Sequence, residues 1–152
     1  MTPTAGEILF IDTNVLLTAT DRSRNHHVTA RNLLTEAAKG TFHLALSGQV
    51  VREYLVVATR PVDVNGLGLS PRDAMRNVEV FTRLPFTFCD ESEAVSIRLR
   101  QLTSQYGFIG RQIHDANIVA TMAVHGISHL VTQNTSDFEQ MGEIQVSDLD
   151  DA

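Results

Sequence analysis

Ile8-Leu-Phe-Ile11, running straight into Asp12-Thr13-Asn14, sets the fold class of this chain. Four consecutive apolar residues without a polar alternate are what a strand buried on both faces requires. The polar stop at Asp12 falls at the carboxyl end of that strand. Outward along the chain, comparable runs recur as Phe42-His-Leu-Ala-Leu46, Phe86-Thr-Phe-Cys89, His129-Leu-Val-Thr132 and, more weakly, Ile144-Gln-Val146. Helical patterns separate them: residues 14–20, 24–39 with a stop at Gly40, 49–59 with Ser47 as the expected cap, 71–84, 91–106, 113–125 with a stop at Gly126, and a short helix around Phe138. Strands alternating with helices predict an α/β domain, its central, mostly parallel sheet flanked by helices.

The chain has 152 residues, 43% apolar and 20% charged, which suits a single domain over residues 1–152. At that size the core needs no disulfide or metal staple, and the apolar fraction excludes a mainly disordered chain. No apolar run approaches the ~18 residues of a membrane span. Met1-Thr-Pro-Thr-Ala-Gly-Glu-Ile8 lacks the basic and apolar regions of a secretory leader, and the single cysteine, Cys89, has no internal disulfide partner. The expectation is a cytoplasmic protein with no membrane association. Three local readings complete the outline. Residues 60–69 form an exposed loop offering Leu67 and Leu69 for contact, Ser70-Pro71-Arg-Asp73 starts a helix, and Asp148, Asp150 and Asp151 make a solvated tail.

In an open parallel sheet, ligands bind beyond the carboxyl ends of the strands. The first strand delivers Asp12-Thr13-Asn14 there, and the fourth delivers Thr132-Gln-Asn134-Thr-Ser-Asp137. Asp115 opens a helix, where a carboxylate also suits the dipole, and Asn134 and Asp137 fit ordinary caps too. Glu53 lies within the apolar stretch Val50 to Val57, where an unpaired charge is costly. A net charge of −6 argues against a basic nucleic-acid surface. Carboxylates gathered around a cation escape that objection, because the ion inverts the local sign. Such an all-oxygen set suits Mg²⁺ or Mn²⁺, and the six histidines show no zinc spacing.

Phe10-Ile-Asp-Thr-Asn-Val-Leu-Leu17, Val51-Arg-Glu-Tyr-Leu55, Ile113-His-Asp-Ala-Asn-Ile-Val-Ala120 and Leu130-Val-Thr-Gln-Asn-Thr-Ser-Asp-Phe138 resemble, in order, the four motifs of PIN domains. The resemblance is greatest to VapC-type toxin ribonucleases of bacterial toxin–antitoxin modules. It implies an acidic triad of Asp12, Glu53 and Asp115 holding the metal, completed by Asn134 or Asp137. It also implies metal-assisted hydrolysis of an RNA phosphodiester by water, leaving 5′-phosphate and 3′-hydroxyl ends. The expected partners are RNA, a VapB-type antitoxin and a second copy of the chain.

Thr13 and Thr132 are the expected hydroxyls around the acids, and Arg72, Arg76 and Arg83 form a basic stripe at helical spacing; Thr13, Thr132, Arg72 and Arg76 are the expected substrate contacts. Two other classes stay open from the residues alone. An aspartyl phosphatase would use Asp12 as nucleophile, but has Asn14 where a second acid belongs and only Lys39 as its lysine. A receiver-like or PIN-like binding module would need no catalysis.

Overall fold

The computed structural model describes residues 3–151; Met1 and Thr2, at the start of the segment read for a leader, and Ala152 lie outside the described residues. Strand β1 (Ile8–Ile11) is central. It pairs with β2 (His43–Ser47) on one side and β4 (His129–Val131) on the other. Strand β3 (Phe86–Cys89) pairs with β2, and β5 (Gln145–Ser147) with β4, giving the order β3-β2-β1-β4-β5. All four pairings are parallel, so the expected α/β class holds and its "mostly" is superfluous. Leu9, Phe10 and Ile11 are completely buried, as the uninterrupted apolar run requires.

The helices are α1 (Thr13–Thr20), α2 (His27–Ala38), α3 (Gly48–Thr59), α4 (Pro71–Arg83), α5 (Glu93–Tyr106) and α6 (Gln112–Val124). The first four pack in succession, α1 on α2 and α3 and α3 on α4, while α5 packs on α6. Right-handed crossovers account for this division: β1 to β3 advance in one direction, and the return to β4 carries α5 and α6 to the other face. Among the described residues no helix is long and apolar enough to cross a membrane.

Helix α3 buries Val50, Tyr54 and Ala58 along one stripe. Tyr54 stacks edge-on against Phe81 at 5.3 Å, and its hydroxyl meets Thr20 Oγ1 at 2.8 Å and Asn77 Nδ2 at 3.1 Å. One residue thereby ties α1, α3 and α4 and fixes the helix that carries Glu53. At the opposite end of the sheet, buried His129 lies 2.6 Å from both Glu7 Oε1 and Ser147 Oγ, joining β4 to β5 and to the residue that precedes β1.

Several local expectations are corrected. Helix α2 starts at His27, not residue 24, because Asp21 accepts from the Ser23 amide and hydroxyl and His26 turns left-handed at φ 68°. Ser47 does not cap α3. Its buried Oγ has no hydrogen-bond partner among the described residues, and Glu91 Oε2 takes the Gln49 amide instead, at 2.9 Å. Ser70 does cap α4, accepting from the Asp73 amide. Asp150 and Asp151 are exposed, as a solvated tail requires, but the segment is anchored: Leu149 is buried and His26 Nδ1 lies 2.6 Å from Asp150 Oδ1.

Nor are Leu67 and Leu69 freely exposed. Their amides donate to Val57 and Ala58 carbonyls, folding the loop back so that both side chains pack on the core. The tightest point is Gly66, where a Cβ would collide with the Arg60 carbonyl. Gly66→Ala should therefore cost about 1–3 kcal/mol, the usual penalty for forced overpacking. Denaturant unfolding measures it; an unchanged midpoint would mean the loop opens without cost.

Candidate active site

The carboxyl ends of β1 and β4 diverge on either side of the point where the strand order reverses, the place where such sheets bind ligands. A cleft of about 770 Å³ opens there. Asp12, at the end of β1, is 7% exposed and caps α1 through the Thr13 amide, 2.7 Å from Oδ1. Its Oδ2 accepts from Thr132 Oγ1 at 2.8 Å. That hydroxyl in turn accepts from Asn14 Nδ2 at 3.1 Å and the Asn134 amide at 3.0 Å, so its one donor and both lone pairs are committed.

Glu53 lies on α3, half-buried, with Oε2 accepting from Thr13 Oγ1 at 3.0 Å and Oε1 from Gln49 Nε2 at 2.9 Å. Asp115 enters from the first turn of α6. A 3-10 turn, residues Thr135–Phe138, brings Asp137 to the same cleft, and Asn134 lines it just before. The structure thus gathers all five acid or amide positions named from the sequence. Both Asn134 and Asp137 are present, but Asp137 is the one whose charge acts on the other acids.

The electrostatics follow from this crowding. Burial pushes the Asp12 carboxyl above the usual range, against the Thr132 and Thr13 hydrogen bonds, with Glu53 and Asp137 adding repulsion. Asp115 is pushed up to about 7, by burial first and then by Asp137, Asp12 and Glu53, while Arg111 pulls the other way. Among the described residues, no three His, Cys, Asp or Glu side chains stand ready-clustered as a metal cage. The donor chemistry nevertheless fits a hard divalent cation, since the acids are all-oxygen donors whose mutual repulsion a cation would relieve.

The basic residues differ from expectation. Arg72 and Arg76 are exposed on α4 and line no part of this cleft; Arg76 borders a separate groove among α1, α2 and α4. Thr132 is fully buried and holds Asp12, which removes it from any substrate surface. Thr13 lines the cleft while holding Glu53. The arginines at the cleft are Arg52, Arg60 and Arg111, with His114 beside them. Sequence reading passed over them, although each had a signal: Arg52 adjoins Glu53, Arg60 lies two helical turns beyond it, and Arg111 one turn before Asp115. Lys39 pairs with Glu36 at 3.1 Å on α2, away from the cleft, so it offers nothing to a phosphatase reaction at Asp12.

The PIN domain family model matches residues 9–144. The chain belongs to the PIN domain family. No curated protein matches it. Among solved structures, this PIN domain is similar to a chain of VapBC2 from Rickettsia felis bound to a promoter DNA fragment, with TM-score 0.67 and 19% identity over 93% of this chain and 98% of that one. It is similar to a chain of DNA-bound VapBC from Salmonella typhimurium, with TM-score 0.66 and 20% identity over 94% and 98%. A third is VapC20 of Mycobacterium tuberculosis, a sarcin-ricin loop cleaving toxin, with TM-score 0.64 and 15% identity over 84% and 92%.

The PIN-domain acids yield a pH prediction. Between its ordinary value of 3.8 and about 7, Asp115 holds a proton when folded that it releases when unfolded. Folding stability in chelator-treated buffer therefore falls as pH rises through that window and levels off above it, with Asp12 acting in the same direction. Asp115→Asn should flatten the slope and raise the melting temperature at pH 8 by about 2–4 °C per kcal/mol of relieved repulsion. Thermal melts of both proteins from pH 4 to 8 test this, and identical profiles would refute the coupling.

Proposed function

We propose that this PIN domain is a divalent-metal-dependent endoribonuclease acting as the toxin of a VapBC-type toxin–antitoxin pair. The observation that carries the reading is the convergence of Asp12, Glu53, Asp115 and Asp137 on one cleft at the sheet's switch point. These four would hold Mg²⁺ or Mn²⁺, with Asn134 as a neutral oxygen donor at the rim. When bound, the ion supplies Lewis-acid polarisation of the phosphate and a lowered water pKa.

The chain's own groups account for the rest of the chemistry. The Thr13 amide and Thr132 hydroxyl keep Asp12 oriented, and the Thr13 hydroxyl does the same for Glu53. Arg52, Arg60 and Arg111 border the acids and would grip phosphates on either side of the scissile one, which the net charge of the chain would otherwise repel. Water attacks phosphorus, the 3′-oxygen leaves, and the products carry 5′-phosphate and 3′-hydroxyl ends. No covalent enzyme intermediate forms.

The partner reading is supported by likeness to chains from VapBC complexes. A VapB-type antitoxin and a homodimer are the proposed assembly, acting in the cytoplasm. A second reading, a PIN-like binding module, draws on the absence of a ready-made three-ligand cluster among the described residues.

The deciding assay is cleavage of a structured RNA pool with Mg²⁺ or Mn²⁺, followed by end-group analysis. Asp115→Asn should lose more than about 100-fold in rate, beyond the cost of disturbing a mere supporting contact. A wild type that binds neither Mn²⁺ nor cuts any RNA would favour the binding module. On uncleaved single-stranded RNA, Arg52→Ala and Arg60→Ala should each lower the salt slope of binding by about 0.7, the value for one lost phosphate contact. Arg72→Ala should leave that slope unchanged; the reverse pattern would return substrate contact to α4.

A further inference from the structure

Gln49 sits one helical turn before Glu53 and is 1% exposed, yet every polar atom of its side chain is committed. Nε2 donates to Glu53 Oε1 at 2.9 Å and to the His114 carbonyl at 2.9 Å. Oε1 accepts from Asn117 Nδ2 at 2.7 Å. Two groups that cannot donate dictate these orientations. The His114 carbonyl demands the Gln49 nitrogen, and the Glu91 carboxylate, 2.7 Å from Asn117, demands the Asn117 nitrogen. Asn117 Nδ2 must therefore face Gln49 Oε1. Glu91 Oε2 closes the ring by accepting the Gln49 main-chain N–H at 2.9 Å.

The consequence lies in what that one nitrogen spans. Glu53 belongs to α3, whereas His114 immediately precedes Asp115 on α6, so a single NH₂ group bridges two walls of the cleft. Glutamate has three rotatable side-chain bonds, and near Asp12 and Asp115 an untethered carboxylate gains by swinging into solvent. Thr13 holds one Glu53 oxygen and Gln49 the other, leaving each with a further lone pair.

We propose that Gln49 is a positioning residue, locking Glu53 at a fixed spacing from Asp115, with Asn117 and the surface acid Glu91 setting its amide orientation. The proposal rests on reading the cleft as a cation site. Glu91 thereby acts on the cleft without lining it, through the main-chain amide of Gln49, the second residue of α3, and through Asn117.

Gln49→Met preserves length and approximate volume while deleting both donors. Glu91→Ala removes the far end of the ring at an exposed position, so it remains informative if the core variant folds poorly. Three readouts apply to each: Mn²⁺ affinity by calorimetry on RNA-free protein, kcat and KM on a cleaved RNA, and the Glu53 side-chain position in metal-free crystals. Gln49→Met should move Glu53 off Thr13, weaken Mn²⁺ binding about 10–100-fold and lower kcat by a similar factor, with KM nearly constant. Glu91→Ala should shift Mn²⁺ affinity in the same direction, by less. Wild-type Glu53 placement and Mn²⁺ affinity in both variants, whatever happens to melting temperature, would overturn the proposal. A wild-type protein inert to Mn²⁺ and RNA would instead overturn the cation-site reading, while the Glu53 position in the Gln49→Met crystal would still decide the positioning claim.

Discussion

A carboxylate held out of water at the fork between β1 and β4 is the constraint on which the rest of this molecule depends. Asp12 gains two strong hydrogen bonds there but loses most of its hydration. Such a group tolerates burial only while its partners stay in register. Thr13 comes from the same turn, but Thr132 directly follows β4, which must pair with β1 before that hydroxyl can reach. Asn14 reinforces this junction, donating to Thr132 and accepting the Gln133 amide at 3.1 Å. The sheet's central pairing and the solvation of its key acid are thus one event.

Around that acid the fold assembles an environment adverse to itself. Further carboxylates are brought in on α3, α6 and the 3-10 turn after β4, and none gains a salt bridge among the described residues. Local consistency is expected of a sequence selected for stability alone, and crowded like charges break it where function is exerted. The arginines at the rim soften the field without neutralising it, since they border the acids rather than pair with them.

The sequence carried the architecture well because the decisive signals are local. An unbroken apolar run marks β1, Ser70-Pro71 starts α4, and Gly126 stops α6. Asp12, Glu53 and Asp115 could be picked out because each ends, interrupts or opens such an element. What stayed hidden depends on contacts between distant elements. Arg72, Arg76 and Arg83 do recur at helical spacing, but a period says which residues share a face and not what that face looks toward. Ser47 carries a cap's local chemistry, yet the cap comes from Glu91, 42 positions away from Gln49. Leu67 and Leu69 read as exposed because loop backbone bonding to Val57 and Ala58 leaves no trace in composition.

The strand order has a kinetic corollary. The Thr132 hydroxyl that completes the Asp12 pocket lies 120 positions after the acid it holds. Local helices and the β1–β2–β3 half can form while the chain is still emerging from the ribosome. The β4 insertion beside β1 must wait until all the intervening elements have followed β1, and such non-local pairing forms slowly. Until that pairing forms, Asp12 lacks the Thr132 hydrogen bond that holds it in the folded protein.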